Sequence, residues 1–86
     1  MKRNVPTQSF LRSLALFLHR HPDLEEKTHV LIERLVTGSS EVRIHPLHGP
    51  LKGFYSARIS QSYRLVFALE PDAVIFIDIG SHDEVY

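Results

Sequence analysis

The sequence contains no cysteine, which excludes a disulfide framework and thiolate-bound metal and fits a reducing compartment. It has no run of about 18 apolar residues, the minimum for a membrane-spanning helix, so no membrane partner is expected. The short apolar block of a signal peptide is also missing from its first residues, and the expected location is the cytoplasm. Repeats, low-complexity tracts and linkers are absent from its 86 residues, which leave room for a single domain, 1–86, with one small core. Net charge is lacking too, since ten Lys and Arg balance ten Asp and Glu. Nucleic-acid-binding domains are usually basic overall, so this balance argues against one. The distribution argues the other way. No Asp or Glu occurs between Val42 and Leu69, where Arg43, Lys52, Arg58 and Arg64 lie and where His45 and His48 can add charge.

Two amphipathic helices are expected in the first half. Thr7 or Ser9 can cap a segment that sets Phe10, Leu11, Leu14, Phe17 and Leu18 on one side at helical spacing. His21-Pro22-Asp23 breaks it, because the proline ring disfavours helix at His21 and suits the first turn of a new one. The second helix runs roughly from Pro22 to Val36, with Glu25 and Glu26 in its early turns and Leu24, Thr28, Leu31 and Leu35 as its buried ridge. Gly38 is its stop. Upstream of both helices, Asn4 and Val5 suit at most a brief edge strand, since Pro6 has no ladder donor.

The second half reads as strands. The segment EVRIH alternates, with Val42 and Ile44 inward and Arg43 and His45 outward, and a Pro- and Gly-punctuated connection, HPLHGPLKG, follows it. In residues 55–69 two strands turn back on each other near Ser60 to Ser62. Tyr55, Ala57 and Ile59 face the core from the first, and Tyr63, Leu65, Phe67 and Leu69 from the second. Ser56, Arg58, Arg64, Val66 and Ala68 then share the other face, and two guanidinium groups there suggest an anion-binding surface. The final run, AVIFIDIG, is expected to send Ala73, Ile75, Ile77 and Ile79 inward, leaving Val74, Phe76 and Asp78 on the arginine face. The competing reading of Arg64 is an ion pair with Asp78. The expected fold class is α+β, an antiparallel sheet of three to four strands with two N-terminal helices packed on one face.

Three pieces in order carry a resemblance. Leu51-Lys52-Gly53 precedes a basic strand, Tyr63-Arg64-Leu65-Val66-Phe67 follows, and Gly80-Ser81-His82 leads to Tyr86. The set resembles the RelE/ParE superfamily of bacterial toxins from toxin–antitoxin systems, especially its RelE, YoeB and YafQ-like branch. The resemblance implies a RelE-like fold and a ribosome-dependent messenger-RNA endonuclease that needs no metal or cofactor. It activates the ribose 2′-hydroxyl against the adjacent phosphate. That chemistry requires a base for the hydroxyl proton, cations for the phosphorane and an acid for the leaving 5′-oxygen.

By match to the family motif, Arg64 and Arg58 are the charge stabilisers, His82 the general acid or base, His45 its partner and Tyr86 a stacking or proton-transfer group. Lys52 and Arg43 would contact RNA phosphates. Ser62 and Tyr63 depart from the branch, which has an acid and often tryptophan there. The implied partners are a cognate antitoxin protein and messenger RNA on the ribosome, and the implied assemblies a homodimer or a toxin–antitoxin hetero-oligomer. Two other readings stay open: a ParE-like inhibitor of DNA gyrase that catalyses nothing, and a decayed toxin that only binds an antitoxin.

Overall fold

The structure, a computed structural model, describes residues 1–85, and Tyr86 lies outside them. The chain begins with β1, Arg3–Pro6, and continues into α1, Gln8–Arg20. Thr7 is the cap. Its Oγ1 accepts the Phe10 N–H at 3.2 Å and donates to the Phe76 carbonyl at 2.8 Å, so one side chain both starts the helix and ties it to the sheet. After His21 a single 3₁₀ turn, Pro22–Leu24, delays α2 to Glu25–Thr37. Gly38, at φ +75°, ends α2 in the left-handed conformation that glycine adopts without strain. The Ser39 N–H then returns to the Arg34 carbonyl at 2.9 Å.

The sheet has five strands, one more than the upper expectation, in the order β1-β5-β4-β3-β2. Here β2 is His45–Pro46, β3 Tyr55–Arg58, β4 Tyr63–Leu69 and β5 Ala73–Ser81. It is not purely antiparallel, because β1 lies parallel to β5 from Arg3 opposite Ala73 to Pro6 opposite Phe76. A short helix, α3, His82–Val85, closes the described chain and was not expected from the sequence. The expected first strand of the meander shrinks to β2. Pro46 has no N–H to extend the ladder, and the start of EVRIH is held by local bonds: Ser39 Oγ accepts the Glu41 N–H at 3.2 Å and Glu41 pairs with Arg34 at 3.4 Å. Val42 still packs against the core as expected, but Ile44 is exposed.

Both N-terminal helices cover one sheet face. Phe10 and Phe17 of α1, Leu31 and Leu35 of α2, and Ala57, Ile59, Leu65, Phe67, Val74, Phe76 and Ile79 of the sheet region form one buried cluster. Phe10 meets Phe76 at 5.3 Å between ring centroids, and Phe17 meets Tyr63 edge-on at 5.2 Å. Thr28 is fully buried because its hydroxyl donates to the Leu24 carbonyl at 2.8 Å. Leu11, expected in the core, is half exposed, since Phe10 and Phe17 set the contact line and leave it at the margin.

One correction matters for the site. A β-bulge shifts the β4–β5 register: Val66 pairs with Asp78 but Phe67 pairs with Phe76, leaving Ile77 as the extra residue. The extra residue inverts side-chain parity upstream of it. Val74 and Phe76 therefore face the helices, contrary to the expected pattern, and Ala73 and Ile75 take the other face, while Ile79 and Asp78 keep the sides expected of them.

Candidate functional site

The ladder itself decides which basic side chains meet. Arg58 of β3 stands directly opposite Arg64 of β4, and Arg64 stands opposite Gly80 of β5. The adjacent same-face row is His45, Ser56, Val66 and Asp78, read across four strands. Residues directly opposite on an antiparallel pair lie about 4.5–5.5 Å apart and diagonal neighbours about 7–8 Å. Register thus gathers His45, Arg58 and Arg64 on the face that the helices leave open. The floor between them is covered: Ser56 and Val66 are each 1% exposed, so the open face is narrower than alternation alone implies.

The guanidinium groups here have no direct counter-ion among the described residues. Among the described residues neither Arg58 nor Arg64 makes an ion pair, and the expected competitor, Asp78, instead accepts the Ile79 N–H on its Oδ1 at 2.8 Å. Arg64 is half-buried and Arg58 exposed. Arg58 also borders a groove along α2 lined by Asp23, Glu26, Lys27 and Arg34 among others. No group of three or more His, Cys, Asp or Glu arranged to hold a metal occurs among the described residues.

His82 is placed just past the end of β5 by a local device. Ser81 and Glu84 form a reciprocal capping box. The Glu84 N–H donates to Ser81 Oγ at 3.3 Å, and the Ser81 N–H donates to Glu84 Oε1 at 2.9 Å. Glu84 is held below the usual carboxylate range, first by the backbone N–H of Ser81, then by the Ser81 side chain, with smaller help from Arg20 and His21 against a little desolvation. The box turns the chain sharply at the end of β5 and makes His82 the first residue of α3. Its Nδ1 lies 3.7 Å from Asp83 Oδ1, an ion pair when the imidazole is protonated. Gly80 makes room: a Cβ there would stand 3.2 Å from both Glu84 Cβ and Glu84 Oε1 and 3.3 Å from Val85 Cγ1. The glycine opposite Arg64 is therefore the seat of α3.

Other sequence-derived candidates fall elsewhere. Arg43 is exposed in the loop before β2, and Lys52 is exposed between a 3₁₀ turn and β3, so neither belongs to the sheet face. His48 is an exposed loop residue. Tyr63 packs between Phe17 and His21. Tyr86 lies outside the described residues. Sequence reading missed Ser81, Glu84 and the reason for Gly80, although Ser-x-x-Glu after an apolar strand was the available signal.

Neither a protein-family model nor a curated protein sequence matches the chain. Solved structures do. YafQ from E. coli superposes with a TM-score of 0.88 at 20% identity, covering all of this chain and 99% of that one. The same toxin in the E. coli DinJ–YafQ complex gives 0.86 at 21%, covering 100% and 99%. A copper-bound mutant toxin from Helicobacter pylori gives 0.85 at 24%, with both chains fully covered. The fold is that of these toxins. The superposition covers the chain from end to end, and the shared fold agrees with the resemblance carried by the sequence motifs. The toxin fold accordingly frames how the open face is read.

Proposed function

We propose that this chain is the toxin of a type II toxin–antitoxin pair and an endoribonuclease that cuts messenger RNA on the ribosome. The observation that carries the proposal is the Arg58–Arg64 couple, without an ion-pair partner among the described residues, one row from His45 and beside the Gly80 seat of the His82 helix. Like charges directly opposite across a ladder are unfavourable, and a bound phosphodiester would remove that repulsion. In the reaction a base takes the 2′-hydroxyl proton as the 2′-oxygen attacks phosphorus. Both guanidiniums bear the charge on the phosphorane, and an acid protonates the departing 5′-oxygen, leaving a 2′,3′-cyclic phosphate and a 5′-hydroxyl. His82 and His45 are assigned the proton transfers, and Lys52 and Arg43 the flanking phosphates.

DinJ in the YafQ complex motivates a cognate antitoxin as the partner here. Expression without an antitoxin should arrest growth and yield cleaved, translated messages, and Arg64→Ala or His82→Ala should relieve both. Intact messages with failed DNA supercoiling would replace this reading with the gyrase one. Unimpaired growth would leave only antitoxin binding.

A further inference from the structure

We infer that Ser81 and Glu84 are positioning residues for the cleavage site, and that their reciprocal bonds across the end of β5 fix where the His82 imidazole stands relative to Arg64. The inference rests on the nuclease reading above, in which His82 moves a proton, but its observations are independent of that reading. A four-residue helix has no internal stability of its own, because nucleating a turn fixes three residues for a single bond. Something outside its own ladder must hold it. Two contacts do so. The capping box ties both ends of the Ser81–Glu84 turn, with the carboxylate on the Ser81 N–H and the hydroxyl on the Glu84 N–H. The Gly80 surface receives the Glu84 stem and Val85 so closely that an added carbon would press on both at 3.2–3.3 Å.

His82 itself is exposed, and its neighbour Asp83 is fully so. The capped turn sets where its backbone stands and so the point from which the imidazole projects. Gly80 pairs with Arg64, so the distance from the guanidinium to the imidazole is determined through a short path: one ladder rung, one residue and one capped turn.

The role of Glu84 in this scheme is that of a hydrogen-bond acceptor, whose charge strengthens the bond but is not what closes the box. Glutamine also closes a capping box, and threonine can replace serine in one, which separates positioning from ionisation. The test uses the full chain on ribosome-bound message, with kcat and KM measured separately. Ser81→Ala and Glu84→Ala should each lower kcat by about 10- to 100-fold with KM little changed, the scale of a small misplacement of a reacting group. Ser81→Thr and Glu84→Gln should restore most of it. In parallel, the NMR signals of the His82 imidazole should move in Glu84→Ala and return to their wild-type positions in Glu84→Gln. Glu84→Gln as impaired as Glu84→Ala would overturn the inference, as would unchanged kcat in both alanine variants. Failure of the underlying reading looks different: His82→Ala would then cleave as well as the wild type, and the imidazole signals alone would decide whether the turn places the ring.

Discussion

Arg58 and Arg64 face each other with no carboxylate of the described residues paired to either, an arrangement that costs stability unless something anionic is bound. Arg58→Gln is therefore expected to raise the free energy of unfolding by about 0.2–1 kcal/mol in urea titrations while impairing cleavage. Sulfate should raise the melting temperature of the wild type more than that of the variant, and equal shifts would contradict the anion site. Phe76 makes the opposite point, since it is fully buried against Phe10 and Phe67. Phe76→Ala should cost about 3–5 kcal/mol, and Ile75→Ala, on the half-exposed opposite side, clearly less. The reverse order would mean that the bulge at Ile77 is absent. This parity was illegible in the sequence for a definite reason. AVIFIDIG is apolar on both faces until Asp78, so nothing polar marks where alternation slips by one. In YSARISQSYRLVFAL the serines and arginines do mark it, and there the expected sides of Arg58, Arg64, Leu65 and Phe67 hold.

At the scale of elements, the helices were legible because each carries its own start and stop: Thr7, the His-Pro break and Gly38. Strand β2 was overextended because EVRIH alternates well, whereas pairing depends on a partner edge that only Tyr55 and Ser56 supply. Helix α3 was readable from Ser81-x-x-Glu84 but is too short to show periodicity. Its stability should depend on pH. Glu84 has a lowered pKa in the folded protein, so its contribution is fully present above the pKa of the unfolded chain and is lost as pH falls through the folded value. Amide exchange at Ser81 and Glu84 should accelerate as pH drops below the ordinary carboxylate range, after correction for intrinsic rates, and Glu84→Gln should remove that dependence. Gly80→Ala should displace α3 and reduce cleavage while leaving the helix-side core intact, because the nearest atoms to the added carbon belong to Glu84 and Val85.

The whole molecule is neutral yet electrically divided, with every acid outside the stretch from Val42 to Leu69. Binding to RNA should follow the local field and not the total. If Arg43, Lys52, Arg58 and Arg64 each neutralise a phosphate, log affinity against log salt should fall with a slope of about −3 for a single strand. A flat line would remove the electrostatic part of the account. The general architecture was legible because two helical stripes followed by alternating strands have few ways to bury one core. The parallel β1–β5 pairing was not, since four residues ending in proline carry too little pattern to choose a neighbour.

The most direct test of the central claim is to programme ribosomes with a defined message, add the purified chain with a chelator selective for transition metals that spares ribosomal magnesium, and map the ends. The account predicts cuts that leave 2′,3′-cyclic phosphate and 5′-hydroxyl termini, with kcat reduced about 10²–10³-fold by Arg64→Ala. Uncut message with the wild type, or undiminished cutting by Arg64→Ala, would contradict it.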